Sequence, residues 1–283
     1  NSFPRCIEMK LSYESDTGVA KRARLGVIVL QVDETLEYEF RTLLDLPGVA
    51  LHHTRVPSGL DVTEETLAAM EQHIPVAVGL LPTAESFDTI GYACTSGASV
   101  IGPANVAAAV RAAYPAASQD AFEGPAVTDP LTAVRAACRV LGIRRLGFVS
   151  PYVAEVSEHL RLALEADGPT ITGFGSFEES EERKVARISP ESVYQAVLQV
   201  GQSSPCDAVF VSCTNVRTLD ILERAEASLG KPIISSNQAL AWHMLRLSGI
   251  NDSVTGYGQL LRLGLDSNAE PVGTGPTTAL KGA

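Results

Sequence analysis

The feature that most constrains the fold is an internal duplication of short strand-like runs and longer helical stretches. Arg24–Gly26 and Arg145–Gly147 both read Arg-Leu-Gly and lie 121 positions apart. Cys94 and Cys213 are each followed by threonine and lie 119 positions apart. One short match carries little weight, but two matches at concordant spacing predict two related halves that face each other across a pseudo-two-fold cleft.

Within each half, the alternation of elements predicts an α/β fold. Apolar, β-branched runs alternate with Ala/Leu-rich stretches at helical spacing, which is typical of βα units around a mostly parallel sheet. The predicted strands are Leu25–Leu30, Val49–His52, Thr89–Ala93, Leu146–Val149, Ile171–Phe174, Ala208–Ser212 and Pro232–Ser235. We therefore expect two pseudo-symmetric, flavodoxin-like lobes with an active site between them.

Turn residues and helix starts divide the chain. The Gly/Pro-containing stretch before Asp129 predicts one linker, and Gly230 marks another. The predicted domains are an N-terminal extension at 1–20, a first lobe at 21–127 plus 232–283, and a second lobe at 128–231. Asp129-Pro130 and Ser150-Pro151 each read as an N-cap followed by a first-turn proline, so both predict helix starts. We expect the tail from Asn268 to be loose.

Composition limits the partners. The chain has 283 residues, 45% of them hydrophobic, and a net charge of -11. Such a chain buries a sizeable core, and its acidity argues against a nucleic-acid partner. It has no apolar run of about 18 residues and no signal-peptide core at its start, so we expect a cytoplasmic protein without a membrane partner. The composition is also compatible with a homo-oligomer.

The five cysteines are too few and too scattered for a disulfide framework, which predicts reduced thiols. The histidines are scattered as well, and no metal-ligand spacing is present, so we predict no metal site. Cys6 lies in the irregular N-terminus, Cys138 lies on an apolar helix stripe and Cys206 precedes a strand. We interpret these three as non-catalytic.

Cys94 and Cys213 are different, because each lies where a predicted strand ends and a helix is expected to begin. A helix N-terminus lowers a thiol pKa from ~8.5 to roughly 3.5–7.5. The hydroxyl, amide and N–H groups that follow could bind a carboxylate. Two facing thiols could then perform proton transfer or addition without a cofactor. The alternative is that both are small buried core residues.

Several further segments, in the same order along the chain, resemble the aspartate/glutamate racemase superfamily, and within it the maleate cis-trans isomerases and arylmalonate decarboxylases. The resemblance spans roughly Arg24 to Arg262. It is carried by Gly26–Val29, Glu34–Glu37, Tyr92–Gly97, Ser150–Tyr152, Val211–Asn215, Ser235–Gln238 and Gly256–Arg262.

The resemblance implies a cofactor-independent enzyme that acts on a small carboxylate between the lobes. Cys94 would add to a substrate double bond, and Cys213 would be its acid/base partner. Racemases of the superfamily use the same two thiols, whereas the decarboxylases keep only the second cysteine, so decarboxylation is the less favoured alternative. The implied substrate-binding side chains are those of Asp33, Thr95, Ser96, Tyr152, Thr214 and Asn215. For Tyr152, a packing role in a first helical turn stays open.

Two positions depart from the maleate isomerase pattern. Asp33 stands where those enzymes carry asparagine, and a second family asparagine is replaced within Glu181–Lys184. A carboxylate at Asp33 would repel a dicarboxylate by roughly 4 kcal/mol at 4 Å and an effective dielectric of 20. The Gln31–Thr35 string resembles an ectoine-utilisation branch, whose compounds carry a cation that Asp33 could pair with. Alternatively, Asp33 only caps the following helix.

An enzyme is not the only class of protein that this pattern allows. Two-lobed α/β proteins also close around small ligands without catalysis, so a non-catalytic binding protein is the competing hypothesis. Reactive thiols protected by substrate would favour the enzyme, whereas slowly labelled thiols would favour the binding protein.

Overall fold

The computed structural model describes residues 9–114 and 124–265. The first half contains β1 (Ala23–Leu30), α1 (Leu36–Leu43), β2 (Val49–Val56), α2 (Glu64–Ala69), α3 (Ile74–Gly79), β3 (Thr89–Ala93), α4 (Thr95–Ile101), α5 (Pro103–Ala113) and β4 (Ala126–Thr128). A 3-10 turn at Glu71–His73 joins α2 to α3.

The second half contains α6 (Pro130–Val140), β5 (Arg145–Tyr152), α7 (Ala154–Ala166), β6 (Thr170–Glu179), α8 (Glu182–Val185), α9 (Pro190–Ser203), β7 (Ala208–Val211), α10 (Leu219–Leu229), β8 (Ile233–Ser235) and α11 (Ser236–Leu247). A 3-10 turn at Leu260–Arg262 follows α11.

The two halves repeat one topology, as the sequence predicts. The strands form two four-stranded parallel sheets with the orders β2-β1-β3-β4 and β6-β5-β7-β8. The repeat extends to side chains, because Asp88 accepts the Arg24 N–H at 2.7 Å and Asp207 accepts the Arg145 N–H at 2.8 Å. The α/β prediction with two related lobes is confirmed.

Helices cover the faces of both sheets, which explains why the central strands are apolar along most of their length. β3 and β7 are buried throughout. Helix α11 is also buried over most of its length, and it packs against α6, α1 and β3. Helix α11 therefore packs against elements of both halves.

Two predictions about local structure are wrong. β4 lies in the stretch assigned to a linker, because it adds to the edge of the first sheet through β3. Ser150-Pro151 does not start a helix: β5 runs on to Tyr152, which pairs with Glu179 of β6 across a register shift. Pro151 falls in that shift, where the ladder does not require an N–H. Helix α7 begins only at Ala154.

The remaining helix start is confirmed, because Asp129 caps α6 by accepting the Thr132 N–H at 3.0 Å.

β8 pairs with β7, so residues 233–235 belong to the second sheet and not to the first lobe, to which the sequence assigned them. The rest of the domain division stays a prediction. Cys6 and the tail from Asn268 lie outside the described residues, as do 1–8 of the extension and 115–123 of the first linker.

Candidate active site

The two thiols lie at equivalent strand ends of the two lobes. Cys94 directly follows β3 and is the N-cap of α4, where its Sγ accepts the Gly97 N–H at 3.1 Å. Cys213 follows β7 in a left-handed conformation, with φ 88°, and its Sγ accepts the Asn215 N–H at 3.3 Å. A left-handed cysteine is strained, and such strain is concentrated at functional sites.

The expected helix-terminal activation is not what the structure shows. Helix α10 begins at Leu219, six positions after Cys213, so only Cys94 is at a helix start. Burial raises the pKa of Cys94 to about 12, and the Gly97 N–H lowers it only in part. Burial also raises the pKa of Cys213 far above its ordinary value. These shifts favour the neutral thiol form of both groups.

The loops that follow the thiols meet between the lobes. The Thr214 hydroxyl donates to the Ala93 carbonyl oxygen at 3.4 Å, which brings the Cys213 loop against the end of β3. The Thr95 hydroxyl donates to Ser236 Oγ at 2.8 Å, and Ser96 is buried beside it in the first turn of α4. The structure thus brings the predicted carboxylate-binding side chains together, although several of their polar atoms already have protein partners.

Tyr152 contacts the second thiol directly. Its hydroxyl lies 3.0 Å from Cys213 Sγ and donates to Glu182 Oε1 at 2.5 Å. Because β5 is longer than predicted, Tyr152 ends a strand and does not occupy the first turn of a helix. Its side chain is buried, so the hydroxyl is held within the site by these two contacts.

Glu182 is a site residue that the sequence did not single out. It is buried, and its Oε2 accepts the Asn215 Nδ2 at 2.8 Å while Oε1 accepts the Tyr152 hydroxyl. Burial raises the pKa of its carboxyl. The replaced family asparagine within Glu181–Lys184 was the available signal, but four consecutive charged residues resemble an exposed turn, so the buried position was not evident.

Asp33 lies in the loop between β1 and α1 and is only 3% exposed. Its Oδ1 accepts the N–H groups of Thr35 and Leu36, each at 2.8 Å, so it does cap the start of α1. Its Oδ2 is buried without a hydrogen-bond partner. Burial raises the pKa of this carboxyl, and those two backbone donors lower it in part.

A loop of the first lobe closes on the segment that carries Glu182. Asp61 and Glu181 form an antiparallel bridge. On either side of it, the Val62 N–H donates to Ser180 at 3.1 Å and the Glu182 N–H donates to Leu60 at 3.0 Å. Since both thiols are only 4% exposed, a ligand can enter only if this contact or a neighbouring one opens.

A third buried carboxyl, that of Glu39 on α1, accepts hydrogen bonds from the segment that follows Cys213. It accepts the Thr218 N–H at 2.6 Å and the Leu219 N–H at 3.0 Å, at the start of α10. Asn237 donates both to Glu39 Oε2 at 2.7 Å and to the Thr214 carbonyl at 2.8 Å. Burial raises the pKa of Glu39 to about 7. This network fixes the Cys213 loop against α1.

The described residues form neither a metal-binding cluster nor a membrane-spanning helix. No group of histidine, cysteine or acidic side chains in the ranges 9–114 and 124–265 is arranged to hold a metal ion. Among the helices of those same ranges, none is long and apolar enough to cross a membrane.

Known proteins share this fold and about a third of the aligned sequence. Residues 108–261 match the arylmalonate decarboxylase family profile. A maleate isomerase of Nocardia farcinica is 30% identical over 84% of this chain and 95% of its own length. An arylmalonate decarboxylase of Bordetella bronchiseptica is 31% identical over 54% of this chain and 64% of its own length.

Solved structures of a maleate isomerase and of an arylmalonate decarboxylase have the same fold. A cysteine-to-serine mutant of the Nocardia farcinica maleate cis-trans isomerase, with a covalently bound succinylcysteine intermediate, superposes with a TM-score of 0.75 at 28% identity, covering 85% of this chain and 98% of that one. An arylmalonate decarboxylase double mutant in liganded form gives a TM-score of 0.71 at 26% identity, covering 84% and 98%. The chain therefore belongs to the family of maleate isomerases and arylmalonate decarboxylases.

Proposed function

We propose that the protein is a cofactor-independent isomerase of a small carboxylate, in which Cys94 and Cys213 are the two reacting groups. The observation that carries this proposal is the presence of one buried thiol at the equivalent strand end of each lobe. The relatives named above are isomerases and decarboxylases, which favours an enzyme over a non-catalytic binding protein.

In a cis-trans isomerisation, the Cys94 thiolate would form a bond to one alkene carbon while the Cys213 thiol gives its proton to the other. The former double bond is then single and can rotate. Return of the proton to Cys213 and cleavage of the C–S bond release the trans isomer and restore both groups. From maleate, this route gives a succinylcysteine, the species named for the Nocardia farcinica structure.

The starting thiolate forms most readily when the site is open, because burial raises the pKa of both thiols in the closed site. Tyr152 then has a defined place in the cycle. Its hydroxyl donates to Glu182 in this structure and lies 3.0 Å from Cys213 Sγ, so it can donate to that sulfur instead whenever Cys213 has given up its proton. The same contact fixes the position of the neutral thiol.

The same pair of thiols could also racemise a carboxylate, with one sulfur taking the α-proton and the other returning a proton to the opposite face. A decarboxylation would need Cys213 alone as the proton donor. A compound of ectoine utilisation, predicted from the Gln31–Thr35 string, is one candidate substrate and stays a prediction.

The test is proton NMR in deuterated water with maleate, arylmalonates, amino acids and ectoine derivatives. Conversion of maleate to fumarate indicates isomerisation, deuterium at an α-carbon with scrambled configuration indicates racemisation, and loss of a carboxyl group indicates decarboxylation. We expect Cys94→Ser and Cys213→Ser each to lower turnover at least about 100-fold. Cys138→Ser, at a buried thiol of α6, is the control and should retain turnover. Full activity in either site variant would contradict the two-thiol proposal.

A further inference from the structure

The backbone of Cys213 is strained, whereas that of Cys94 is not. The φ of Cys213 is 88°, and among the non-glycine residues in 9–114 and 124–265 only Glu178 also has a positive φ. Cys94 follows the equivalent strand with an extended φ of -145°. A left-handed conformation is unfavourable for a residue with a Cβ and persists only where surrounding contacts impose it. The contacts of the loop that follows Cys213 therefore show what holds this thiol in place.

Part of this loop is held from across the cleft. The Thr35 hydroxyl donates to the Asn215 carbonyl oxygen at 2.9 Å. The Glu34 N–H donates to Asn215 Oδ1, also at 2.9 Å. Both donors belong to the first lobe, so the first lobe helps to place the thiol of the second.

Glu39, on α1 of the first lobe, holds the far end of the same loop. Its side chain is buried, and its Oε1 accepts the Thr218 N–H at 2.6 Å and the Leu219 N–H at 3.0 Å. Helix α10 begins at these residues. The other oxygen of Glu39, Oε2, accepts a hydrogen bond from Asn237 Nδ2 at 2.7 Å. One carboxyl thus joins the end of the loop to α11.

Asn237 connects Glu39 to the residue next to the thiol. Its Nδ2 donates to the Thr214 carbonyl oxygen at 2.8 Å as well as to Glu39 Oε2. Its Oδ1 is buried without a hydrogen-bond partner, although buried polar side-chain atoms are nearly always hydrogen-bonded. The orientation of the amide is therefore set by its two donor contacts. Turning it over would place Oδ1 against one of two acceptor oxygens.

We propose that Glu39 and Asn237 are positioning residues for Cys213, which together impose its left-handed backbone and so keep its thiol beside Tyr152. Their hydrogen bonds go to the loop and to each other, so they act through the backbone and not on the substrate. This inference rests on the proposed function, since the position of the thiol matters for turnover only if Cys213 reacts.

Glu39→Gln tests the link between the two residues. The glutamine keeps an oxygen for the Thr218 and Leu219 N–H groups, but it places an amide nitrogen against Asn237 Nδ2. Because two donors cannot bond to each other, Asn237 has to turn or move away, and the Thr214 carbonyl loses its donor. Asn237→Ala breaks the same link from the other side. The effects of the two changes should therefore not add in the double variant.

The first measurement is the rate of iodoacetamide labelling, followed by mass spectrometry of the peptides that contain Cys94 and Cys213. A relaxed loop exposes only the second thiol, so in Glu39→Gln the rate at Cys213 should rise at least about fivefold while the rate at Cys94 stays unchanged. Turnover of the best substrate found by NMR, at saturating concentration, should fall about 10–100-fold, because a displaced reacting group loses its alignment. A faster-labelled thiol in a slower enzyme is the result that a positioning role predicts.

Glu226→Gln is the matched control. Its carboxyl also accepts two backbone N–H groups, from Ile233 at 3.1 Å and Gln259 at 3.0 Å. Ile233 is at the amino end of β8, opposite to the strand ends that carry the thiols. This variant should keep the labelling rates and the turnover of wild type.

Three results would overturn the positioning role. They are equal acceleration of labelling at both thiols, which means that Glu39 only holds the lobes together, wild-type labelling and turnover in a folded variant, and losses of turnover that multiply in the double variant. If circular dichroism shows that Glu39→Gln does not fold, Asn237→Ala carries the test with the same expectations. Labelling needs no substrate, so selective acceleration at Cys213 together with a fully active Cys213→Ser would contradict the proposed function and leave the structural link standing.

Discussion

The Tyr152 hydroxyl lies between a thiol and a carboxyl, 3.0 Å from Cys213 Sγ and 2.5 Å from Glu182 Oε1. This contact connects the Cys213 thiol to Glu182 on α8, which precedes it by 31 positions in the sequence. The Tyr152 hydroxyl contacts both Cys213 and Glu182. A change in the charge of either group therefore alters the hydrogen bond that this hydroxyl makes to the other.

Tyr152→Phe should therefore impair the step that involves Cys213. The variant removes the hydroxyl that orients the thiol and leaves Glu182 Oε1 without its donor. We expect turnover to fall about 100-fold, because positioned proton-transfer groups typically contribute at least that factor. The measurement is turnover of the best substrate found by NMR, with thermal unfolding recorded in parallel.

Tyr194→Phe is the control for that variant. Its hydroxyl contacts Ser228 Oγ at 2.9 Å on an exposed surface of α9. Removing it should leave turnover unchanged. Equal activity of Tyr152→Phe and Tyr194→Phe would show that the contact with Cys213 has no catalytic part.

Close packing around the first thiol gives a second prediction. A Cβ at Gly97 would come within 2.8 Å of both Cys94 Sγ and the Tyr92 hydroxyl, and within 2.9 Å of Met70 Cε. The methionine can move, but Sγ is held by the Gly97 N–H itself. Gly97→Ala should therefore displace the thiol, lowering turnover at least about tenfold and the free energy of unfolding by about 1–3 kcal/mol.

Gly79→Ala is the matched control, because it is also a helical glycine and a Cβ there meets nothing within 4 Å. This change should leave turnover intact and stability equal or slightly higher. The comparison uses chemical denaturation and the same turnover assay. Wild-type activity in Gly97→Ala would show that turnover does not depend on this position of Cys94 Sγ.

The positions of both thiols could be predicted from sequence, because a duplicated Cys-Thr string at concordant spacing fixes their place in equivalent βα units. The ionisation state of the two thiols could not be predicted from sequence. It depends on how deeply the lobes bury each sulfur, and Cys213 also has a longer loop before its helix than the Cys94 segment has.

Glu182 and β4 show why other parts of the site and fold were missed. Glu182 lies in a segment that pairs with the loop at Leu60–Val62 of the other lobe, and such a contact has no local pattern in the sequence. β4 has only three residues and becomes a strand by adding to β3. Both features arise from tertiary contacts that override local propensity.

The buried Glu39 gives a prediction about pH and stability. Its pKa is raised from 4.5 to about 7 by burial, so the folded state holds a proton that the unfolded state releases between these values. A raised carboxyl pKa contributes stability below about pH 4.5 that is lost as the pH rises through about 7. The loss should be about 3 kcal/mol, since each pKa unit corresponds to about 1.4 kcal/mol.

Glu39→Gln cannot ionise and should lack this loss. Urea unfolding at pH 5 and pH 8 should show that the stability of wild type, relative to Glu39→Gln, falls as the pH rises. Glu223→Gln, at an exposed carboxylate that pairs with Arg262 at 2.7 Å, is the control and should follow wild type at both pH values. A wild-type stability that rises relative to Glu39→Gln over this interval would show that Glu39 is ionised throughout, with its charge stabilised by the donors from Thr218, Leu219 and Asn237.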